Sequence, residues 1–141
     1  MKFWDSSAIV TLLVRETNSD VMLDIFQKDS EIAVWWGTET ECFSALARGE
    51  REGKLTRSDV SQSDATLRNL LLGAHEILPG ADIRRYSRRL LMTHPLRAAD
   101  SLQLASALVL AGEHPEDLPF ITLDRQLCEI AQREGFQTHP V

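Results

Sequence analysis

The sequence has few cysteines, no long apolar run and no excess of basic residues, and each of these narrows the class of protein. The two cysteines, Cys42 and Cys128, lie far apart and fit neither a disulfide framework nor a CxxC motif, so we expect both to fill the core. No stretch approaches the roughly 20 apolar residues that span a bilayer. Asp5 lies where a signal peptide would need a basic and then an apolar segment. We therefore expect a cytoplasmic protein with no membrane contact.

Acidic residues outnumber basic ones, 21 against 15, and the formal net charge is -6. Such a balance argues against a nucleic-acid ligand, because phosphate binding normally uses clustered Lys and Arg. One segment departs from this average and carries five arginines: Arg84, Arg85, Arg88, Arg89 and Arg97. We interpret this arginine cluster as either a phosphate-binding surface or an ordinary solvated helix face.

The length of 141 residues and the 43% hydrophobic content suit one compact domain with a real core. No repeat, low-complexity tract or linker interrupts the chain, so we expect a single domain over residues 1–141. Short apolar segments predict strands at 1–4, 32–36, 76–78, 118–123 and just after Gly135. The intervening periodic segments predict helices at 8–14, 18–28, 38–52, 56–75, 82–92, 97–111 and 125–134. This alternation predicts an α/β fold whose parallel sheet is covered by helices on both faces.

Helix-start signals accompany several of these segments. Ser6 or Ser7 is available to cap the first helix, and Asn18 or Ser19 the second. Thr38 and Glu41 form a T-x-x-E pattern that predicts a capping box at the start of the third helix.

Four acidic residues lie where the predicted strands lead into helices. Asp5 follows the first strand, Asp124 follows the strand ending at Leu123, and Glu41 lies in the first turn of the third helix. Asp100 lies in the first turn of the most apolar helix, where an unpaired carboxylate would be costly to bury. Because ligands bind at the carboxyl ends of parallel strands, we expect these four acids to converge there.

Each acid also has a structural interpretation. Asp5 and Asp124 could cap the helices that follow them, and Glu41 could belong to the capping box. Asp100 could interact with the helix dipole or with Arg97. The four taken together favour function, because converging carboxylates repel one another unless protons or cations neutralise them. Oxygen ligands without His or Cys favour Mg2+ or Mn2+, which can activate water for phosphodiester hydrolysis.

These segments match a known family in order and at suitable spacing: the chain resembles the PIN domain and, within it, the VapC-type toxins of toxin-antitoxin modules. Four segments carry the resemblance: FWDSSAIVTLLVRE, TECFSALAR, HPLRAADSLQLASAL and ITLDRQLCEIA. The resemblance implies a small three-layer α/β/α sandwich with a central parallel sheet. It also implies an endoribonuclease dependent on Mg2+ or Mn2+, usually a homodimer, and held inactive by a cognate antitoxin.

The resemblance also implies roles for individual residues. The metal ligands would be the four acids Asp5, Glu41, Asp100 and Asp124. Ser6 and Thr122 would support them by orienting the carboxylates or a bound water, although helix capping explains Ser6 equally well. Glu39 competes with Glu41 for the ligand role, and we prefer Glu41 because it immediately precedes the apolar positions of its helix.

One departure from the family is the segment Trp35, Trp36 and Gly37, where small or aliphatic residues are usual. Strand alternation predicts that one indole enters the core and the other points away. The outward indole could stack on bases or contact an antitoxin, or it could pack under a neighbouring helix. Two other functions stay open: a catalytically silent PIN-like module that binds RNA or protein, and a housekeeping RNA-processing nuclease.

Overall fold

The computed structural model describes residues 1–139, and within them the strands form one five-stranded sheet that is parallel throughout. The strands are β1 (Lys2–Trp4), β2 (Ile32–Trp35), β3 (His75–Ile77), β4 (Phe120–Ile121) and β5 (Thr138–His139). Their order across the sheet is β3-β2-β1-β4-β5, so the first strand lies at the centre. This arrangement confirms the α/β class and the parallel sheet.

Seven α-helices and one 3-10 turn at Pro115–Asp117 connect the strands within the described residues. The helices are α1 (Ser6–Leu13), α2 (Ser19–Lys28), α3 (Thr38–Arg51), α4 (Arg57–Leu72), α5 (Ala81–Thr93), α6 (Ala98–Ala111) and α7 (Arg125–Arg133). No helix in residues 1–139 is long and apolar enough to cross a membrane.

Side-chain alternation along the strands divides the core into two halves, one on each face of the sheet. In β1, Phe3 packs with α5, α6 and α7, whereas Trp4 packs with α1, α2, α3 and α4. In β4, Phe120 joins the first half and Ile121 the second. Successive residues of a strand point to opposite faces, so each strand contributes to both halves. The result is the expected three-layer α/β/α sandwich.

The tryptophan pair follows the same alternation. The side chain of Trp35 is 7% exposed and belongs to the core beside β3 and α6, whereas Trp36 is 54% exposed. The prediction of one inward and one outward indole is therefore confirmed.

The predicted helix starts at the site need correction. Neither Ser6 nor Ser7 caps α1, because both are helical and Asp5 is the N-cap, accepting from the Ser7 backbone N–H. The capping box at Thr38 and Glu41 is also wrong. Thr38 is the first residue inside α3, and no side-chain cap bond forms there. The Glu41 carboxylate has other partners across the site, which the next section describes.

Candidate active site

The carboxyl ends of β1 and β4 bring together residues that are far apart in sequence. Trp4 pairs with Ile121 across these neighbouring strands, and the Asp5 backbone N–H donates to the Ile121 carbonyl at 2.9 Å. Asp5 and Thr122 therefore lie side by side, each directly after the end of its strand. The Thr122 hydroxyl donates to Asp5 Oδ2 at 2.9 Å and accepts from the Asp124 backbone N–H at 3.1 Å. One buried hydroxyl thus links two of the predicted acids.

Asp5 is the most enclosed of the four acids, with 3% of its surface exposed. Its Oδ2 accepts from the Ser7 hydroxyl at 2.5 Å in addition to Thr122, and its Oδ1 accepts from the Gln103 side-chain amide. Asp5 therefore caps α1, as its structural interpretation predicted. It also belongs to the group of Asp5, Glu41, Asp100 and Asp124, which we call the acidic cluster. With Ser6 Oγ at 3.4 Å from Oδ1, four polar side chains contact this carboxylate.

Glu41 reaches the same cluster from the first turn of α3. Its Oε2 accepts from the Ser6 hydroxyl at 3.0 Å and from Gln103 Nε2 at 3.2 Å. Burial, together with the nearby charges of Asp5 and Asp100, raises the pKa of the Glu41 carboxyl above its usual value. Glu39 is instead exposed. The structure therefore brings Glu41, rather than Glu39, to the other acids.

Asp100 lies in the first turn of α6 and is half-buried. Burial and the negative charges of Asp124 and Asp5 raise its pKa, and the charge of Arg97 opposes this effect. Asp124 caps α7 by accepting from the Leu127 backbone N–H at 2.9 Å. It also borders a cavity of about 330 Å3 beside α7. The charges of these acids therefore act on one another: those of Asp5 and Asp100 on Glu41, and those of Asp124 and Asp5 on Asp100.

The donor set suits a hard divalent cation, although the acids are not gathered around one point. Among residues 1–139, no three His, Cys, Asp or Glu side chains are grouped so that they could hold a metal ion. Hydroxyl and amide donors instead contact the oxygens of Asp5 and Glu41. Burial and the neighbouring carboxylates raise the pKa values of Glu41 and Asp100, and a bound cation would offset the part that comes from the carboxylates. Carboxylate oxygens are also the ligands that Mg2+ prefers.

Two polar residues of this site were missed from the sequence. Ser7 bonds Asp5 and also accepts from the Leu123 backbone N–H at 3.0 Å, so it joins the two strand ends. Gln103 is fully buried and contacts both Asp5 and Glu41. A signal for Gln103 was present, because an amide in so apolar a helix needs a hydrogen-bonding partner. Nothing local in the sequence distinguished Ser7 from a residue near a helix cap.

The arginine cluster lies on α5 and at the start of α6, next to the helix that carries Asp100. Two of its members are engaged by acids on the protein surface. Arg89 bonds Glu134 at 2.6 Å, and Arg85 contacts Asp82 at 3.1 Å. Arg97 is the N-cap residue of α6, and its charge acts on Asp100. The remaining two, Arg84 and Arg88, make no ion pair within residues 1–139.

A groove leads away from the acids between α1 and α3. Its volume is about 460 Å3, and its lining includes Ser6, Glu41, Val10, Ala45 and the exposed cation Arg48. This opening gives a flexible ligand access to the Glu41 side of the cluster. Arg48 was not singled out from the sequence, since the basic residues near it alternate with the acids Glu50 and Glu52.

Comparison with known proteins identifies the family of the chain and supports its fold. The family model described as "PIN domain" matches residues 2–133. Ribonuclease VapC45 of Mycobacterium tuberculosis (strain CDC 1551 / Oshkosh) is 26% identical over 147 residues, covering 98% of this chain and 94% of that protein. The chain is thus a distant relative of VapC ribonucleases.

Two solved structures share the architecture. A toxin-antitoxin complex from Klebsiella pneumoniae aligns with a TM-score of 0.63 at 16% identity, covering 91% of this chain and 90% of that one. VapBC2 from Rickettsia felis, bound to a DNA fragment from their promoter, aligns with a TM-score of 0.64 at 14% identity, covering 98% and 96%. At these identities the similarity establishes the fold.

Proposed function

Because the chain belongs to the PIN domain family, we propose that it is a metal-dependent endoribonuclease that hydrolyses RNA phosphodiester bonds. Asp5, Glu41, Asp100 and Asp124 would hold Mg2+ or Mn2+. The observation that carries the proposal is that Gln103 Nε2 and Ser6 Oγ each contact both Asp5 and Glu41, which holds these two carboxylates side by side. Burial, and after it the repulsion from neighbouring carboxylates, raises the pKa values of Glu41 and Asp100. A divalent cation would remove this repulsion and make the site attractive to phosphate.

The chain's own residues would orient the four carboxylates and keep them in fixed positions relative to one another. A bound divalent cation would supply an activated water and offset charge on the leaving oxygen. Ser7 and Thr122 direct hydrogen bonds to one oxygen of Asp5, which leaves its other oxygen turned toward Glu41 and α6. Ser6 supports the opposite side by donating to Glu41. Through these fixed hydroxyls the protein would reduce the reorganisation that metal binding requires.

RNA would approach the acids across a surface that carries cations. In this proposal the arginine cluster of Arg84, Arg85, Arg88, Arg89 and Arg97 holds the phosphate backbone on either side of the cleaved bond. Support comes from the packing of α5 against α6, which places this cluster on the neighbour of the helix that carries Asp100. These contacts would position the RNA without reading its sequence.

The biological role that fits best is the toxin of a toxin-antitoxin module. The 26% identity to a VapC ribonuclease and the fold shared with a toxin-antitoxin complex support this assignment. We infer a cognate antitoxin that blocks the active-site groove, a homodimeric toxin and action on cytoplasmic RNA. The antitoxin would control the same acids that cut the RNA.

The test is cleavage of a mixed pool of structured RNAs by purified protein with Mg2+, with Mn2+ and with EDTA. Asp5→Asn serves as the site variant. Asp24→Asn is the matched control, since Asp24 is an exposed acid paired with Lys28 on α2. Cuts that need metal, disappear in Asp5→Asn and persist in Asp24→Asn would support the nuclease. A folded protein that binds RNA without cutting it would favour the silent binding module.

A further inference from the structure

A buried amide lies between two of the acids and is the least expected polar group in the fold. Gln103 is on α6, whose other buried side chains are Ser101, Leu104, Ala105, Ser106, Ala107 and Leu108. No part of Gln103 is exposed. Burying an amide is favourable only when hydrogen bonds replace those it loses to water. Its contacts therefore identify what the residue does.

The side-chain nitrogen of Gln103 points into the acidic cluster. Nε2 donates to Asp5 Oδ1, to Glu41 Oε2 at 3.2 Å and to Ser6 Oγ at 3.2 Å. Asp5 follows a strand and Glu41 belongs to α3, so one amide joins acids from separate elements. Ser6 Oγ also bridges the two carboxylates, at 3.0 Å from Glu41 and 3.4 Å from Asp5.

The carbonyl end of the Gln103 amide supports the orientation in which its nitrogen faces the acids. Gln103 Oε1 is buried and has no hydrogen-bond partner within residues 1–139. Unpaired buried carbonyl oxygens are uncommon in folded proteins, and each calls for an explanation. Here the N–H groups face two carboxylates, and the structure leaves the carbonyl unpaired in return. The amide therefore directs its N–H groups to the acids although its carbonyl oxygen has no partner within residues 1–139.

We propose that Gln103 is a positioning residue that holds Asp5 and Glu41 together for a divalent cation. The inference rests on the proposed metal-dependent nuclease and adds to it a residue outside the four acids. An amide suits this task because it donates hydrogen bonds without adding charge. A lysine at the same position would neutralise the acids and compete with the cation. Gln103 keeps the carboxylates close and leaves their negative charge for the metal.

The expected consequence is a loss of metal affinity rather than a loss of folding. Outer hydrogen-bond partners of metal ligands typically contribute about 10–100-fold to affinity. Gln103→Met keeps the length and most of the shape of the side chain while removing its N–H donors. Ser106→Ala is the matched control. Ser106 is buried on the same helix, and its hydroxyl donates to the Leu102 carbonyl at 2.7 Å and to no acid.

The experiment is titration of each metal-free protein with Mn2+ by isothermal calorimetry, in the absence of RNA. Circular dichroism confirms that each variant is folded. We expect Gln103→Met to bind about 10–100-fold more weakly than the native chain, and Ser106→Ala to match the native chain within about twofold. Equal affinity of Gln103→Met and the native chain would overturn this inference and leave the nuclease proposal standing. No Mn2+ binding by the native chain would overturn both.

A second measurement on the native chain covers the case in which Gln103→Met does not fold. The side-chain amide resonances of Gln103 in nitrogen-proton NMR spectra should shift during titration with Mg2+. Their midpoint should match that of the Asp5 backbone amide. Gln103 resonances that stay fixed while the Asp5 resonance shifts would overturn the inference.

Discussion

Replacing Thr122 with valine tests whether the strand-end hydroxyl holds the acidic cluster together. Thr122 is 2% exposed, and valine has nearly its shape but no hydroxyl. The substitution removes the donor to Asp5 Oδ2 and leaves the Asp124 backbone N–H without its acceptor. Both effects fall on groups at the carboxyl ends of the sheet. Local packing should be preserved, because valine and threonine have nearly the same shape.

The expected loss in the free energy of unfolding follows from the two hydrogen bonds that the substitution removes. A bond to a charged group contributes about 1.5–3 kcal/mol, and an unsatisfied buried group costs about 1–3 kcal/mol. Because the Asp5 carboxylate keeps its bonds from Ser7 and Gln103, we expect a combined loss toward the lower end. The free energy of unfolding should fall by about 2.5–4 kcal/mol.

The assay is urea unfolding in EDTA, followed by circular dichroism, with two comparison variants. Thr122→Ser keeps the hydroxyl and should recover most of the loss. Thr11→Val removes a buried hydroxyl that donates only to the Ala8 carbonyl within α1, and should cost about 1 kcal/mol. The reasoning would be refuted if Thr122→Val were as stable as the native chain, or if Thr122→Ser lost as much stability as Thr122→Val.

Three further predictions concern other parts of the molecule. Gly37→Ala should cost about 1–3 kcal/mol in urea unfolding, because its Cβ would lie 2.5 Å from the Trp35 indole nitrogen; no loss would mean that the indole moves freely. Replacing Arg85 and Arg88 by alanine should weaken RNA binding most at low salt and reduce its salt dependence, whereas an unchanged slope would indicate a merely solvated face. Glu134→Gln should lower stability by about 1 kcal/mol at pH 7. Burial raises the pKa of Glu134, but bonds from its arginine and histidine partners on and after α5 outweigh this and lower it. Its contribution is present above the unfolded pKa and lost as pH falls through the folded pKa, so the difference between Glu134→Gln and the native chain should shrink in acid. A difference in stability between the two proteins that does not change with pH would contradict this prediction.

The sequence was sufficient for the fold, and it predicted that acids follow the carboxyl ends of the strands. Strand and helix periodicities predicted a parallel sheet, and the carboxyl ends of parallel strands lie on one edge. This rule alone brought Asp5 and Asp124 together. The apolar α6 made Asp100 conspicuous, because a carboxylate there needs a reason to be half-buried.

The sequence was misleading where a local pattern competed with distant partners. Thr38 and Glu41 have the spacing of a capping box, yet Glu41 instead accepts from Ser6 and Gln103, which are far away in sequence. Local rules contain no information about such partners. A capping box does form at Thr56 and Asp59, where the Asp59 side chain has no competing partner in the acidic cluster.

The supporting residues of the site were the hardest to identify for the same reason. Gln103 and Asp5 are 98 positions apart, and Ser7 and Leu123, whose backbone N–H donates to the Ser7 hydroxyl, are 116 apart. Their contacts depend on strand order and on the rotation of α6, neither of which leaves a local pattern. Only the cost of burying an amide in an apolar helix would have pointed to Gln103.

Cleavage of one defined RNA by the native chain and by Asp100→Asn across a Mg2+ titration tests the central claim most directly. Asp117→Asn is the control, since Asp117 is an acid of the 3-10 turn outside the acidic cluster. The account predicts metal-dependent cleavage by the native chain and by Asp117→Asn, and none by folded Asp100→Asn at any Mg2+ concentration. Cleavage by Asp100→Asn at the native rate would contradict the assignment of these carboxylates as the metal-binding catalytic centre.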